Sequence, residues 1–326
     1  MKRFIRDLRE KEHVQSAFLA MEKTAGTDRN GKRFLNVTLA DSTGHVNARM
    51  FEKVDDYAES FQAGDVVWIK GFVQLFQNRK QVILHEIRKA AEAEFSLSDM
   101  VAEHGGDPKK HLEELLVKVG SLKNEYIRQL LQATLSDPQI LDLIQKAPAA
   151  KTIHHAYRGG LIEHIRSIVE IMESISKHYE FLDRDLLIFG AIYHDIGKIF
   201  EFDLSQGIHY TASGRLVGHM VLACEMIDQK SAQIPWFPAD LKDVLKHIVL
   251  AHHGKLEYGS PKLPMIPEAM VVAMIDDLDS KMNTLFHFMK NEVQNVPKEE
   301  QWTHYHPGFE RYFFLDFFRK RMGLGG

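Results

Sequence analysis

The sequence predicts a multidomain chain with two folds, an N-terminal all-β barrel over residues 1–90 and an all-α helical bundle over residues 109–326. Before residue 90, apolar and polar residues alternate with the period of a β-strand. After Pro108, the apolar residues recur at intervals of three and four, which is the period of a helix. Between these parts, residues 91–108 contain the break His104-Gly105-Gly106-Asp107-Pro108 and form the expected linker.

The first part contains five strand-like runs joined by short turns. The turn after the first run contains Asn30-Gly31, a pair that is typical of a tight hairpin turn. A short helix over residues 54–61 separates the third run from the fourth. Five strands with a helix after the third follow the order of an OB-fold barrel. The runs cover residues 14–21, 34–39, 46–51, 65–73 and 81–85.

The second part contains a series of amphipathic helices. One begins near Leu112 and the next near Ile127, while Ser136-Asp137-Pro138 has the composition of a helix start. A longer helix starts near Leu161, and a strongly apolar helix around Leu187 runs into His194-Asp195. Helices that follow one another without strands predict a helical bundle.

The composition is that of an ordinary globular protein. The 326 residues include 41 Lys and Arg against 45 Asp and Glu, a net charge of −4, and 44% are hydrophobic. These values exclude collagen-like, disordered and disulfide-scaffold chains. Because no run of about 18 apolar residues occurs and the N-terminus is charged, we expect neither a membrane span nor a signal peptide. A single cysteine, Cys224, is typical of the reducing cytoplasm.

The second part also carries histidine and aspartate on helix faces that should be buried. Burying an unpaired polar group costs roughly 2–7 kcal/mol. For one histidine, a hydrogen-bonded core position is the ordinary interpretation. Five helical segments that share only imidazole and carboxylate groups are better explained by a shared metal centre, which offsets these costs together. The residues on these faces are His164, His194, Asp195, His219, His252 and Asp276.

The order of these residues carries a resemblance to known proteins. His164, then Tyr193-His194-Asp195-Ile196-Gly197-Lys198, His219, His252-His253-Gly254 and Asp276 resemble the HD superfamily of metal-dependent phosphohydrolases. Together with an OB-like barrel in front, residues 10–290 resemble the YhaM family of bacterial 3′→5′ exoribonucleases. The resemblance implies hydrolysis of single-stranded RNA, with single-stranded DNA as an alternative, to nucleoside 5′-monophosphates.

The same resemblance implies two divalent metal ions. Mn²⁺ is expected first, with iron, Co²⁺, Zn²⁺ or Ni²⁺ as alternatives, because the ligands are imidazole and carboxylate without thiolate. His253 is the register alternative to His252, and Asp279 is the alternative to Asp276. A centre with the first ion alone is a further alternative. By the resemblance, His164, His194, Asp195 and Asp276 hold the first ion, and Asp195, His219 and His252 hold the second.

Three residues are candidates for the catalytic group. Asp195 is expected between two ions that activate water and clamp the phosphate. Lys198, three residues later, is placed to neutralise charge on the phosphoryl oxygens, or is an ordinary lysine near a helix end. Arg158 is either a phosphate contact or a solvated loop residue. The neighbouring His154 and His155 have either a contributing role or a capping or core role.

The first part is the predicted nucleic-acid-binding part. Residues 1–90 contain 16 Lys and Arg against 12 Asp and Glu. Proteins that bind single strands combine such charges with aromatic residues on which bases stack. Most aromatic residues of a barrel belong to its core, so Phe34 and Arg49 are the favoured surface candidates. The full set of candidates is Arg33, Phe34, Arg49, Lys53, Arg79 and Lys80, with Arg29, Lys32, Phe51, Trp68, Phe72 and Phe76 beside them.

Two other functions are open alternatives. An HD-domain phosphohydrolase or phosphodiesterase for small nucleotides would use the same metals, but would not need the barrel. A non-catalytic nucleic-acid-binding protein with a structural metal would not need Lys198. The aromatic residues from Tyr305 to Phe318 are expected in the core or at the subunit interface of a homo-oligomer. The methionines Met270, Met274, Met282 and Met289 are expected to fill the core.

Overall fold

The computed structural model describes residues 2–27, 31–76, 79–100, 107–150, 159–203 and 209–323 of the chain. The chain divides into two compact units, Met1–Ala102 together with Asn283–Gly326, and Glu103–Met282. The sequence predicts that all residues after 108 belong to the helical part. In the structure, the segment from Asn283 groups with the barrel, and Glu292 of this segment forms an ion pair with Arg79 of the barrel at 3.5 Å.

The barrel is a closed sheet of five strands in the order β1-β2-β3-β5-β4. All neighbouring strands are antiparallel except β3 and β5, whose parallel pairing of Asn47 with Gln81 and their neighbours closes the barrel. Helix α1, Val54–Ala58, lies between β3 and β4, so the predicted OB-fold order is confirmed. The strands are β1 His13–Thr27, β2 Arg33–Asp41, β3 Gly44–Met50, β4 Val66–Phe76 and β5 Arg79–Lys89.

Strand β1 is longer than the sequence predicted because it pairs with two neighbours. Its first half, from His13 to Leu19, pairs with β4, and its second half, from Leu19 to Thr27, pairs with β2. The register shifts by one residue after Ala20, and such bulges bend a strand. Alternate apolar residues of these strands fill the barrel, among them Val14, Phe18, Leu35, Val37, Leu39, Ala48, Ile69 and Val82.

The other described elements are mainly helical. A two-stranded hairpin, β6 Phe202–Asp203 and β7 His209–Tyr210, lies between α8 and α9. Among the described residues, no helix has the length and hydrophobicity that crossing a bilayer would need. The helices are α2 Leu97–Met100, α3 Pro108–Gly120, α4 Glu125–Leu135, α5 Pro138–Ile144, α6 Gly160–His178, α7 Arg184–Tyr193, α8 Lys198–Glu201, α9 Ala212–Leu216, α10 His219–Ser231, α11 Ala239–Ala251, α12 Pro267–Asn295 and α13 Leu315–Arg321.

Four of these helices begin after an aspartate or asparagine that caps them. The side chains of Asp107, Asn124, Asp137 and Asp183 accept hydrogen bonds from backbone N–H groups of the first turns of α3, α4, α5 and α7. These N–H groups have no partner within the helix, and each such cap contributes about 1 kcal/mol. The start that the sequence predicted at Ser136-Asp137-Pro138 is confirmed.

The core of the helical unit is formed by the apolar faces of α3 to α7 and of α10 to α12. Helix α7 approaches two neighbours closely at Gly190. A Cβ atom at this glycine would lie 2.5 Å from Val272 Cγ2 and 2.9 Å from Ile248 Cγ2. Because Gly190 has no side chain, α7 packs directly against α11 and α12, and its C-terminal end at Tyr193 lies deep in the unit.

Most methionines of α12 that are expected in the core are instead exposed. The aromatic residues of the C-terminal segment are divided between a small apolar cluster and the surface, and their place in a subunit interface stays a prediction. Met270, Met274 and Met282 of α12 are about half exposed or more, and only Met289 is buried. In the C-terminal segment, Phe313 and Phe318 pack against a small apolar cluster. Trp302 and Phe314 pair in a short antiparallel bridge, and both rings are exposed. Exposed rings further include Tyr305, Tyr312 and Phe317.

Candidate metal centre

The ends of helices bring the predicted site residues together. His164 lies within the first turns of α6, and His194 directly follows α7, so that Asp195 is the next residue of the turn into α8. His219 is the first residue of α10 and His252 directly follows α11. Asp276 comes from the middle of α12. The predicted metal centre requires these six side chains to lie close together. In the structure they do.

Four of the side chains form a first group. His164 Nε2 lies 3.2 Å from His194 Nε2 and 3.2 Å from Asp276 Oδ1. Asp195 Oδ2 lies 3.5 Å from His194 Nε2 and 3.8 Å from His164 Nε2. One ligand atom from each of the four lies within 4.8 Å of all the others. These distances are those of a set of atoms around one cation.

The second group contains His219, His252 and His253, whose ligand atoms also lie within 4.8 Å of one another. Asp195 belongs to both groups, since its other oxygen, Oδ1, lies 3.5 Å from His219 Nε2 and 3.6 Å from His252 Nε2. The arrangement has one carboxylate between the two groups, with one oxygen directed to each. His253, which the sequence left as an alternative to His252, lies beside it with the rings 4.3 Å apart.

Every ring nitrogen on the outer side of the centre faces an oxygen. His194 Nδ1 lies 3.1 Å from the carbonyl oxygens of Gly190 and Ala191, and His252 Nδ1 lies 2.7 Å from that of Val249. A carbonyl oxygen can only accept, so these Nδ1 atoms carry the proton and donate it. The Nε2 atoms of both rings therefore present lone pairs to the centre.

A divalent cation fits this set of atoms. Asp195 Oδ1, His219 Nε2 and His252 Nε2 are buried, and none of them has a hydrogen-bond partner among the described residues. Each such atom costs about 1–3 kcal/mol when it is left unsatisfied. Acceptor atoms that face one another without a proton between them also repel. Nitrogen and oxygen ligands without sulfur suit Mn²⁺, iron, Co²⁺, Ni²⁺ or Zn²⁺.

The charges of the centre act on its own ionisable groups. Burial alone would lower the pKa of His164, but hydrogen bonds to Asp276 and Asp279, and the charge of Asp276, raise it to about 9. Burial lowers the pKa of His252 and so favours its neutral form. Burial alone would raise the pKa of Asp195, but the charge of the Lys198 ammonium holds it well below its usual range. Without an ion, the centre is therefore balanced by a proton on His164 and by the charge of Lys198.

Lys198 is the first residue of α8 and lies almost buried beside the centre. Its Nζ atom donates to Asp195 Oδ2 at 2.6 Å. The helix-end interpretation is therefore incomplete, because the ammonium contacts the carboxylate that the two groups share. Arg158, His154 and His155 lie outside the described residues.

The approach of His219 to Asp195 depends on Gly197. A Cβ atom at this position would lie 2.0 Å from the carbonyl oxygen of His219 and 3.0 Å from the backbone nitrogen of Ala223. The backbone of Gly197 has ordinary helical angles, φ −62° and ψ −17°, so space and not backbone freedom requires the glycine. The turn between α7 and α8 thus lies directly against the start of α10, which carries His219.

Two carboxylates at the centre lie where the sequence does not predict them. Asp279, the alternative to Asp276 as a ligand, lies on the outer side of His164, 2.7 Å from Nδ1. Glu201, for which the sequence predicts no role, lies 3.3 Å from His219 Nδ1. Nothing in the sequence around Glu201 marks it, because its place depends on the hairpin that follows α8. Asp279 follows Asp276 by one helical turn, which is a signal that both face the same side.

On the barrel, one predicted cation lies among aromatic rings. The guanidinium of Arg49 lies 5.2 Å from the ring centre of Phe34 and 5.9 Å from that of Phe51. Arg49 also donates from Nε to Asn36 Oδ1 at 3.2 Å, which fixes it across the outer face of β2 and β3. We call Phe34, Arg49 and Phe51 the aromatic patch.

The other predicted cations of the barrel have different surroundings. Arg33 pairs with Asp55, and Arg79 pairs with the buried carboxylate of Glu292. Lys53 is exposed at the start of α1, where its φ of 53° is left-handed, and Lys80 is half-buried in β5. Arg29 lies outside the described residues.

Comparison with known families agrees with both parts of the structure. Residues 161–281 match the HD domain family, and residues 19–90 match the family of OB-fold nucleic acid binding domains. The chain thus consists of an OB-fold barrel followed by a helical HD domain. An HD domain with a convergent group of histidine and aspartate side chains suggests a metal-dependent phosphohydrolase.

Part of the chain is also similar to solved structures. One is the mitochondrial single-stranded DNA-binding protein Rim1 of S. cerevisiae, at 14% identity over 25% of this chain and 97% of that one, with a TM-score of 0.22. Another is the second OB-fold domain of replication protein A from Methanococcus maripaludis, at 16% identity over 28% of this chain and 97% of that one, with a TM-score of 0.22.

Proposed function

We propose that this chain is a metal-dependent exonuclease that shortens single-stranded RNA from its 3′ end and releases nucleoside 5′-monophosphates. Single-stranded DNA is proposed as a second substrate. The observation that carries the proposal is the pair of groups that share Asp195, with buried acceptor atoms directed to each other. The OB-fold family match and the aromatic patch support a polymeric substrate. The polarity and the preference for RNA rest on the resemblance to the YhaM family.

The residues of the two groups would hold the metal. In the proposal, His164, His194, Asp195 and Asp276 bind one ion, and Asp195, His219 and His252 bind the other, with Mn²⁺ as the first choice. Divalent ions in such a centre lower the pKa of water and stabilise negative charge on a phosphoryl group. His253, half-buried beside His252, is available as a further ligand or as a contact to the phosphate.

Lys198 has a role of its own in the proposal. Its ammonium lies 2.6 Å from Asp195 Oδ2, close enough to reach a phosphoryl oxygen that approaches the same carboxylate. Positive charge that is already in place where negative charge develops lowers the barrier of phosphoryl transfer. Lys198 would therefore neutralise a phosphoryl oxygen while the histidine rings, fixed through their Nδ1 atoms, hold the ligand geometry.

The aromatic patch is proposed to hold the single strand. A base that stacks on Phe34 or Phe51 would leave its phosphate near the guanidinium of Arg49. Stacking of a base on an aromatic side chain contributes roughly 1–3 kcal/mol. This part of the proposal explains why an HD domain that cuts phosphodiesters carries a barrel, which a small nucleotide would not need.

The decisive experiment uses single-stranded RNA with a 5′ label, incubated with the full chain and Mn²⁺. We expect a ladder of products that shorten progressively, and no products when the metal is chelated. The matched control is His194→Ala, which removes one ligand of the first group. Immediate release of the labelled mononucleotide would show the opposite polarity, and equal activity of His194→Ala would contradict the metal centre.

A second experiment separates the polymer proposal from hydrolysis of small nucleotides. Phe34→Ala and Arg49→Ala should each weaken binding of single-stranded RNA roughly 10-fold, because one stacked base contributes about 1–3 kcal/mol. Hydrolysis of the small diester bis(p-nitrophenyl) phosphate should be unchanged. Lys70→Ala is the matched control, since it removes one exposed charge of β4 that pairs with Glu86 instead. Unchanged RNA binding in both patch variants would contradict this interface.

A further inference from the structure

The histidines of the metal centre differ in the group that receives their outer proton. His194, His252 and His253 donate from Nδ1 to backbone carbonyl oxygens. His164 and His219 instead face carboxylates. Each of the two groups therefore contains one histidine that is backed by a negatively charged side chain. The two carboxylates come from different elements, α12 and α8.

In the first group, Asp279 fixes His164 from behind. Its Oδ2 atom lies 2.7 Å from His164 Nδ1, and its Oδ1 atom accepts a hydrogen bond from the hydroxyl of Ser167. Asp276, one turn earlier on the same helix, lies 3.2 Å from the other ring nitrogen, Nε2. The ring is thus held between two carboxylates of α12. Because Asp279 lies on the opposite side of the imidazole from the other ligand atoms, it does not act as a ligand there.

In the second group, Glu201 fixes His219. Its Oε1 atom lies 3.3 Å from His219 Nδ1 and accepts a hydrogen bond from the backbone N–H of His219 at 3.2 Å. Glu201 is buried, as is Asp279. One carboxylate thus orients both the ring and the first peptide of α10, so that Nε2 faces Asp195 Oδ1.

We propose that Asp279 and Glu201 are positioning residues that set the metal affinity of the two groups separately, Asp279 through His164 and Glu201 through His219. This inference rests on the proposed metal centre. A carboxylate behind an imidazole keeps the proton on the outer nitrogen, makes the inner nitrogen a stronger donor and fixes the ring plane. A backbone carbonyl has no net charge and does this less. Loss of either carboxylate should therefore weaken the binding of one ion and leave the binding of the other unchanged.

The test is titration of the full chain with Mn²⁺. Binding is measured by calorimetry and by the electron paramagnetic resonance signal of free Mn²⁺. Asp279→Asn and Glu201→Gln keep the shape of each side chain and remove its charge. We expect each variant to lower the affinity for one of the two ions by about 10- to 100-fold. The other ion should stay within about threefold of the wild-type affinity. The affected ion should differ between the two variants, and both losses should occur together in the double variant.

Two control variants and one set of double variants test whether the change in metal affinity is specific to Asp279 and Glu201. Asp277→Asn removes an exposed carboxylate of α12 that pairs with Lys281, and Glu225→Gln removes an exposed one of α10. Both should bind two ions with wild-type affinity. In a His164→Ala background, Asp279→Asn should have no further effect on the remaining ion, while Glu201→Gln should still weaken it. If the role of Asp279 were merely structural, Asp279→Asn would still weaken binding of the remaining ion in the His164→Ala protein.

The outcomes separate this inference from the proposed function. If the wild-type chain binds two ions and cuts RNA, but both variants bind Mn²⁺ as the wild type does, only the positioning inference is overturned. If the wild-type chain binds no divalent ion, the metal centre and the inference fail together. If Asp279→Asn does not fold, Ser167→Ala decides, since it removes only the hydroxyl that donates to Asp279. A loss of several-fold for one ion alone would support the inference, and no loss would overturn it.

Discussion

At the scale of single residues, the metal centre is a closed set of acceptor atoms. The outer nitrogens of its histidines face oxygens, so the inner nitrogens and the two carboxylates have only lone pairs to offer one another. Such a set is stable only when positive charge is present. In the absence of metal, that charge comes from Lys198 and from a proton on His164, whose pKa is about 9. Metal binding must displace the proton of His164, and the metal competes with Lys198 for Asp195.

Metal affinity should therefore depend on pH below 9. His164 is protonated at lower pH, and binding of the first ion releases that proton. Affinity should rise with pH, by up to about tenfold per unit for one proton, and should level off near pH 9. Calorimetric titrations in buffers of different ionisation enthalpy measure the number of protons released. An affinity that is constant between pH 6 and 8 would show that His164 is already neutral.

Replacement of Lys198 should separate binding from catalysis. Lys198→Met removes the cation that competes with the metal for Asp195, so metal affinity should be equal to that of the wild type or higher. The rate of RNA cleavage should fall by about 10²–10³-fold, the usual effect of losing one group that stabilises transition-state charge. Metal titration and single-turnover rates of the same preparation measure the two effects, and Lys198→Arg serves as the control that keeps the charge. Equal losses of affinity and rate would point to a structural role.

At the scale of elements, the site depends on close contacts between helix ends. The turn at Gly197 lies against the first residues of α10, and Gly190 lies against α11 and α12. Both glycines allow backbone and side-chain atoms to meet where a methyl group would not fit. The positions of His194, Asp195 and His219 follow from these contacts and not from long side chains.

Gly197→Ala should damage the second group selectively. The added Cβ would lie 2.0 Å from the His219 carbonyl oxygen, so the start of α10 must move away from Asp195. We expect the free energy of unfolding to fall by about 1–3 kcal/mol, as for other overpacked sites, and one of the two ions to be lost. Chemical denaturation and metal counting measure this. Gly120→Ala, where a Cβ meets nothing within 4 Å, is the control and should be neutral or slightly stabilising.

Much of the fold and of the metal centre could be predicted from the sequence, because the period of apolar residues and the spacing of a motif are local properties. The apolar period placed His164 inside the face of α6 that is buried, and the alternation before residue 90 gave the strand order of the barrel. Partners that come from distant parts of the chain could not be predicted. The contacts of Glu201 with His219 and of Arg79 with Glu292 each depend on tertiary packing, which no local pattern encodes. The predicted burial of Met270, Met274 and Met282 was wrong, since Met274 is 63% exposed, whereas Met289 is buried as predicted.

At the scale of the whole molecule, metal should stabilise one unit only. Every residue of the two groups lies between Glu103 and Met282. A ligand at 100 times its dissociation constant stabilises the state that binds it by about 2.7 kcal/mol. Addition of Mn²⁺ should slow hydrogen exchange in α6, α7, α10, α11 and α12, and leave β1 to β5 unchanged. Mass spectrometry of peptides measures this, and His194→Ala is the control. Equal protection of the barrel strands would contradict it.

The two units are arranged differently along the chain. The HD part is one uninterrupted stretch, whereas the barrel unit is made of two stretches that flank it in the sequence. The ion pair of Arg79 with Glu292 joins these stretches across more than two hundred residues. A fragment that ends at residue 90 thus lacks part of the barrel unit, and its Arg79 has no Glu292 to pair with. The unpaired charge of Arg79 would strengthen binding to any polyanion, so affinities for nucleic acid measured on that fragment would overstate those of the whole protein.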